Sequence, residues 1–560
     1  MKLHLPITLL SAVLAAFIAL PAQAIDSYIN ICNKETVYYS GYTSSDVFGG
    51  AISAEYASIS DNGNVTFNGN DDVHCFGVYG VGGAIYAPWQ LTINRNRDVT
   101  FSRNYVAGSG GIAGGAILTR DMTISHNGNV TFNGNHAYGH FGADGGAICS
   151  SEGSGLTISN NKDVTFSGNY VESNLISKIS GGGAIFMGVA STYPMPCSDN
   201  DEFSGSGEVS YYESHDSDSS GLLIISNNGN VSFSGNYVSK SADYESDGSA
   251  RGGAILVSYG DIDLCIQGND SVLFERNYEK NGNDYRLHSI YCKSSDMYLS
   301  AKTGGDISIY DSIYTGGDSY FNSDYTDGER NTQSAGGDVI FSGKYAEQHL
   351  NEILAANNEG RTATAEEILN SQTSEIGRNA YLNGGSVQIE DGAVLQVKGN
   401  TINIAAGSDA TLAISDAELV AANATIEVGE SATLQLSNGA SVTADEINIA
   451  AGATLALGDI AITASASDAM VAAYRVSSLN VINADLTFAA GSTLVTDGTG
   501  INMTEGSVLT FMATSEGEKV NLVLTLGAEY SEEDQIVLFS NADIVKFLMD
   551  GEEVDSSTTL

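Results

Sequence analysis

Two tetrapeptides alternate through the first half of this chain, and their alternation restricts the fold more than any other feature. Gly-Gly-Ala-Ile begins at Gly49, Gly82, Gly114, Gly145, Gly182 and Gly252 and ends at Ile52, Ile85, Ile117, Ile148, Ile185 and Ile255. Phe-x-x-Asn follows each copy, pairing Phe67 with Asn70, Phe101 with Asn104, Phe132 with Asn135, Phe166 with Asn169, Phe233 with Asn236 and Phe274 with Asn277. Between the two, an aliphatic pair keeps a separation of six, as in Ile59 and Val65, Ile93 and Val99, and Ile124 and Val130. Such a period marks a solenoid, in which each unit buries its apolar face only by stacking on the next.

One unit, residues 82–104, holds three short apolar pieces: Gly82-Gly83-Ala84-Ile85, Leu91-Thr92-Ile93 and Val99-Thr100-Phe101. The last two alternate apolar and polar residues, which is the signature of a half-buried strand. Asp61-Asn62-Gly63-Asn64 and its relatives at Asn127 and Asn228 supply residues that tolerate left-handed backbone angles, so they read as turns. Three strands with one inward face each describe one coil of an all-β, right-handed, three-sided parallel β-helix. Stacked coils predict an interior column of the six phenylalanines and a ladder of the six asparagines at an inner corner. The paired glycines predict a sharp bend where a Cβ would clash. All these motif residues read as scaffold; no catalytic, cofactor-binding or metal-binding residue is assigned.

What varies is the link from each asparagine to the next glycine pair, rich in Tyr, Ser, Gly and Asp, as in residues 135–145. A longer excursion runs from Met187 to Ser220. Variable loops on rigid coils are a usual way to build a binding surface.

Repeated GGA(I/L/V) and FxxN tetrapeptides in an exported chain resemble the repeats of the chlamydial polymorphic outer membrane proteins, over about residues 49 to 280. The resemblance implies an autotransporter passenger: a surface-displayed adhesin that a C-terminal β-barrel holds in the outer membrane. Its partners would be host, mucosal or neighbouring-cell surface proteins or glycans.

Five segments organise the chain. Residues 1–24 read as a secretory signal peptide, with Lys2, an apolar run from Leu9 to Leu20 and the cleavage tripeptide Ala22-Gln23-Ala24. Residues 25–345 carry the GGAI/FxxN β-helix. Residues 346–385 are a helical or loop insert, since Leu350, Ile353 and Leu354 have helical spacing near 346–372. Residues 386–530 continue as a β-helix of shorter, Ala-rich coils. Residues 531–560 form a tail or truncated end without the alternating strands of a membrane barrel.

A formal charge of −45 argues against nucleic acid and anionic membrane surfaces as partners, because both require Lys and Arg clusters. The six cysteines, Cys32, Cys75, Cys149, Cys197, Cys265 and Cys292, allow disulfides in an exported chain, with Cys149 and Cys265 also placed to be packed thiols. No cofactor is implied.

An enzyme is the rival class, because parallel β-helices also house lyases and glycosidases that work with paired carboxylates. The candidates, Asp71, Asp72, Asp98 and Asp144, have no Lys or Arg at equivalent places in adjacent coils. His74, His126, His136, His140 and His288 are scattered and read as surface residues, and the acidic run from Glu213 to Asp218 reads as a solvated loop rather than a Ca²⁺ site. The sequence thus points to an adhesin-like passenger, with a carbohydrate-active β-helix enzyme or a structural surface stalk as alternatives.

Overall fold

The computed structural model describes residues 26–44, 49–73, 80–108, 112–140, 142–174, 180–188, 221–240, 250–258, 262–326, 329–334, 336–457, 480–489, 492–496, 501–503, 508–513, 520–524, 539–540, 544–549 and 552–553. The chain is a parallel β-helix. Its Val-x-Phe strands join into one sheet from Thr36–Ser40 through Asn64–Asn68, Asp98–Ser102 and successors to Asn521–Leu524.

Three wall segments enclose one core. In the unit around Phe132 they are the first and second halves of the long strand Ile117–Ser125, which changes register between Thr119 and Asp121, and the strand Asn129–Asn133. Ile117, Met122, Ile124, Val130 and Phe132 point from these walls into a core continuous from Ile31 to Leu509. Equivalent residues lie in register, so Phe67, Phe101, Phe132, Phe166, Phe233 and Phe274 stack with centroids 4.8–4.9 Å apart and planes within 4°. Strand spacing sets that distance. Tyr39 extends the column by one coil, and Ile309, Phe341 and Ile389 carry it onward.

Each FxxN asparagine closes its corner three ways. The Asn104 amide donates to Phe67 O at 3.1 Å and to Asn135 Oδ1 at 2.9 Å, and the same Asn135 oxygen takes the Asn104 backbone N–H at 3.1 Å. The pattern repeats from Asn70 to Asn277. A second ladder, absent from the sequence reading, runs through Asn62, Asn96, Asn127, Asn161, Asn228 and Asn269 at the other end of the Val-x-Phe strands. The turn reading is corrected accordingly: the left-handed residues are Asp61, Arg95, His126, Asn160 and Asn227, while the asparagine after each is buried and bonds across coils.

The two glycines of GGAI do different work. The first takes a left-handed φ, +64° at Gly82 and +72° at Gly114. The second lies where coils touch: a Cβ on Gly83 would stand 2.3 Å from Gly115 O, and one on Gly115 would stand 2.0 Å from Gly146 O.

The variable links are only partly loops, which corrects the expectation. After each asparagine comes a third strand, Tyr105–Gly108, His136–Gly139, Tyr170–Ser173 or Tyr237–Lys240, stacked into a side sheet. Two-residue strands such as Ile112–Ala113 and Ala143–Asp144 then lead into GGAI and form an edge sheet. Between these sheets lies a small core of Val106, Ile112, Ala137, Ala143, Val171, Val238 and Ala250. Another, of Val81, Ala113, Leu118, Cys149, Phe186 and Leu256, packs on the outer face of the GGAI wall.

This side lobe needs end caps, because the outermost coils of a parallel sheet leave N–H groups without a neighbour. Asp72 and Glu279 flank the apolar run of the side-sheet column that reads Asp72, Val106, Ala137, Val171, Val238, Glu279, with Ser44 in register beyond Asp72. Asp72 Oδ2 accepts the Val81 N–H at 2.9 Å, and Glu279 Oε1 accepts the Gly252 N–H at 2.7 Å. A hairpin, Tyr278–Asn281 with Asp284–Cys292, ends the lobe.

Two helices cover that hairpin: α1, Ala346–Ala356, and α2, Ala365–Gln372. Leu350, Ile353 and Leu354 of α1 pack on Tyr278, Tyr285 and Leu287. From α2, Glu367 Oε1 and Ser371 Oγ accept the Tyr285 and Leu287 N–H groups at 3.1 and 2.9 Å, so residues one helical turn apart satisfy alternate residues of a strand edge. The Arg361 guanidinium, at 2.7 Å, holds the Glu367 carboxyl down at about 2. Thr364 and Glu367 form a capping box. Thr364→Ala is expected to cost about 1 kcal/mol and to raise hydrogen exchange at the Tyr285 and Leu287 amides; unchanged protection there would show that the box does not hold the clasp. The β-helix resumes with Thr373–Ile376, inside the segment 346–385, and continues through short coils such as Ser386–Glu390 and Thr411–Ser415.

Candidate binding surface

The motif residues lie inside. All six FxxN phenylalanines and all six asparagines are fully buried, and Ile52, Ile85, Ile117, Ile148, Ile185 and Ile255 are at most 2% exposed. Gly49, Gly82, Gly114, Gly145, Gly182 and Gly252 all have positive φ beside the Ile carbonyl of their own motif. These groups hold the coils together and offer nothing to a ligand.

The outward face of the side sheet has a different character. Tyr105, His136, Tyr170 and Tyr237 are in register and only partly buried; Tyr105 is tilted by 39° against His136 at 5.0 Å, and His136, Tyr170 and Tyr237 stack at 3.8 and 4.7 Å. Tyr237 stacks at 4.8 Å on Tyr278, which the clasp buries, so the stripe ends at the helices. At the N-terminal end the position in register with Tyr105 belongs to Asp71, and no aromatic ring stacks on that side among the described residues. Two residues along, Tyr138 and Glu172 make a second row. The Tyr138 hydroxyl accepts from Asn174 Nδ2 at 2.9 Å, which leaves its own O–H free to donate outward. Burial pushes the Tyr105, Tyr170 and Tyr237 phenols up, so they stay protonated through the physiological range.

The carboxylates weighed for catalysis do not converge. Asp72 caps the edge sheet, Asp98 Oδ1 accepts the Asn129 N–H at 3.0 Å, and Asp144 is buried in the edge sheet near Cys149. Asp71 and Asp98 both face outward, Asp71 on the aromatic stripe and Asp98 on the separate Val-x-Phe sheet.

Among the histidines, His126 is exposed at a turn, and His136 and His140 lie on or beside the stripe. His288 is not a surface residue: it is fully buried, with Nδ1 against Glu279 Oε1 and Arg251 3.6 Å from the same carboxylate. Burial opposes the Glu279 charge, yet His288, Arg286 and Arg251 around it hold its carboxyl below the usual range. Burial pushes His288 down, so the pair is a carboxylate receiving the N–H of a neutral imidazole. His74 lies outside the described residues, as do the segment from Glu213 to Asp218 and most of the excursion from Met187 to Ser220.

Cys32, Cys149, Cys265 and Cys292 are free thiols, and burial pushes the last three up. The disulfide expectation therefore fails for these four; Cys75 and Cys197 lie outside the described residues. Among the described residues no group of three or more His, Cys, Asp or Glu side chains is placed to hold a metal ion, and no helix is long and apolar enough to cross a membrane.

The stripe lies within the variable links singled out in the sequence, but on strands rather than loops. One signal was present: Tyr or His directly follows the FxxN asparagine in Asn104-Tyr105, Asn135-His136, Asn169-Tyr170, Asn236-Tyr237 and Asn277-Tyr278.

Fold and surface together define a repeat protein of the parallel β-helix class, whose coil-to-coil repeated residues are internal and whose changing residues face outward. The family model described as the Chlamydia polymorphic membrane protein (Chlamydia_PMP) repeat matches residues 129–151, which span the Phe132-to-Asn135 and Gly145-to-Ile148 motifs. The chain thus carries the repeat of that family, whose name describes its members as membrane proteins. No curated protein and no solved structure gives a significant match.

Proposed function

We propose that this chain is a surface-exposed, adhesin-like passenger that binds a ligand on another cell or on mucosa through the outward side of its β-helix. One observation carries the reading. The repeat residues are wholly internal, whereas the outward side sheet bears a row of tyrosine and histidine with a free phenol donor and a carboxylate. The family of the matched repeat supports a surface location. The candidate carboxylates support a non-enzymatic role, since Asp72 and Asp98 bond to backbone N–H groups.

The test is to couple the purified full chain to beads and count adhering beads on epithelial cells. Adhesion several-fold above beads carrying an unrelated β-helix protein is the expected result, with Tyr105→Ala/Glu172→Gln reducing it. Adhesion no greater than that control would end the adhesin reading.

A further inference from the structure

Resting on that reading, we infer that the side-sheet face bounded by Asp71 and the helical clasp is a saccharide site, and that its ligand is a neutral, hydroxyl-rich oligosaccharide lying along the β-helix axis. Three features select that chemistry.

First, charge disfavours an acidic ligand at the Tyr105 end. The strands Tyr105–Gly108, His136–Gly139 and Tyr170–Ser173 contain no lysine or arginine, while Glu172 stands in the second row and Asp71 follows Tyr105 in the first; the cations of the face, Lys240 and the Glu359-paired Lys280, lie at the clasp end. A sulfated or sialylated glycan, or a nucleic acid, would meet like charge there.

Second, the face is too polar for an apolar protein patch. None of the large exposed hydrophobic residues, Tyr28, Tyr56, Trp89, Leu369 and Met512, lies on these strands. What is offered is hydrogen bonding: the outward Tyr138 O–H, the Glu172 carboxylate 3.4 Å from His136 Nε2, and the phenols of Tyr105 and Tyr170. A chain of sugar hydroxyls, each both donor and acceptor, can satisfy such a mixed set.

Third, geometry suits a chain with one stacked ring. From His136 to Tyr278 the rings stack face to face, so Tyr170 and Tyr237 present only edges and polar tips, while Tyr105 is tilted against His136. Tyr105 ends the row, with Asp71 and no ring on its N-terminal side. That end provides an aromatic face next to a carboxylate, where a pyranose can stack its C–H face and share two hydroxyls with Asp71. Polar groups then recur from coil to coil toward the clasp, which closes the far end.

The probe is an array of immobilised oligosaccharides that includes neutral, sialylated and sulfated series, read with the full chain and with Tyr138→Phe/Glu172→Gln and Tyr105→Ala. Thermal unfolding of each variant verifies that the coils persist. The expected result is binding to neutral oligosaccharides, with either variant lowering affinity about tenfold or more, as loss of one ligand hydrogen bond or one stacked ring implies. A blank array, a preference for the anionic series, or full binding by both variants would overturn the site. Bead adhesion that survives enzymatic deglycosylation of the cells would also overturn it, while leaving the adhesin reading intact. Neutral sugar binding without bead adhesion would do the reverse.

Discussion

Gly115→Ala is expected to prevent the repeat array from folding, whereas Gly134→Ala is expected to leave it folded and only slightly weaker. A Cβ on Gly115 would lie 2.0 Å from Gly146 O and 2.7 Å from the His136 backbone, distances that no real Cβ adopts. Those neighbours are main-chain atoms, and the coil-to-coil bond from Gly115 N to Gly145 O at 3.0 Å fixes their spacing. Relief would require prising two coils apart, which would also open the Phe101–Phe132–Phe166 stack and the asparagine ladder. The penalty therefore exceeds the 1–3 kcal/mol, roughly, of ordinary overpacking, where side chains can move aside. At Gly134 the nearest atom to a new Cβ is Arg103 Cγ at 3.9 Å. Only its φ of +62° opposes alanine, at about 1–2 kcal/mol. Urea denaturation followed by far-ultraviolet circular dichroism separates the two, and similar midpoints for both variants would refute the close-approach account of the second motif glycine.

How much of this could be read beforehand depends on whether a feature repeats in sequence. The phenylalanine column and first asparagine ladder were legible because one residue type recurs at one place in every coil. The second ladder was equally periodic, as Ile-x-x-Asn from Ile59 to Asn62 and from Ile93 to Asn96, but it hides in a turn where asparagine has a sufficient local explanation. Two corners thus use one device, an amide bonded to the carbonyl three residues back in the preceding coil's motif.

The side lobe was not legible. Its strands are two to four residues long, and the inward place of the side sheet is filled by Val106, Ala137, Val171 and Val238 amid changing neighbours. Pieces so short become strands only because the coils on either side present partners in register. Nor could sequence show that Asp72 and Glu279 belong to one column, since they are separated by four intervening coils. The Asp72 carboxylate looked like chemistry, and like that of Glu279 it is an edge cap. The aromatic stripe failed for a related reason: it combines tyrosine with histidine, so identity varies while position does not.

The end of the first ladder makes the second large prediction. Asn277 is the last FxxN asparagine, and the place it donates to is held by Asp311: Oδ2 accepts the Asn277 backbone N–H at 2.9 Å, its amide at 3.0 Å and the Ser289 hydroxyl at 2.7 Å. Oδ1 has no hydrogen-bond partner and is buried. By correspondence with the ladder, Oδ1 stands where an asparagine would carry its NH₂ group, so a protonated Asp311 imitates asparagine and an ionised one does not. Burial accordingly pushes its carboxyl from 3.8 to about 6, even though the Ser289 and Asn277 bonds pull it down. Because the folded value lies above the unfolded one, the folded state holds the proton more tightly. Stability from this group is complete below about pH 4 and is lost as pH rises through about 6, by about 3 kcal/mol in all. Asp311→Asn should remove that loss, so the variant is expected to be more stable than the parent at pH 7 by up to about 3 kcal/mol and nearly equal to it at pH 4. Taking the difference between variant and parent cancels other groups such as Glu367, whose low carboxyl acts in the opposite direction. Urea midpoints of both proteins at half-unit steps from pH 4 to 8 would show the gap opening between about pH 4 and 6; a gap independent of pH, or a variant less stable at pH 7, would mean that Asp311 is not the proton-dependent end of the ladder.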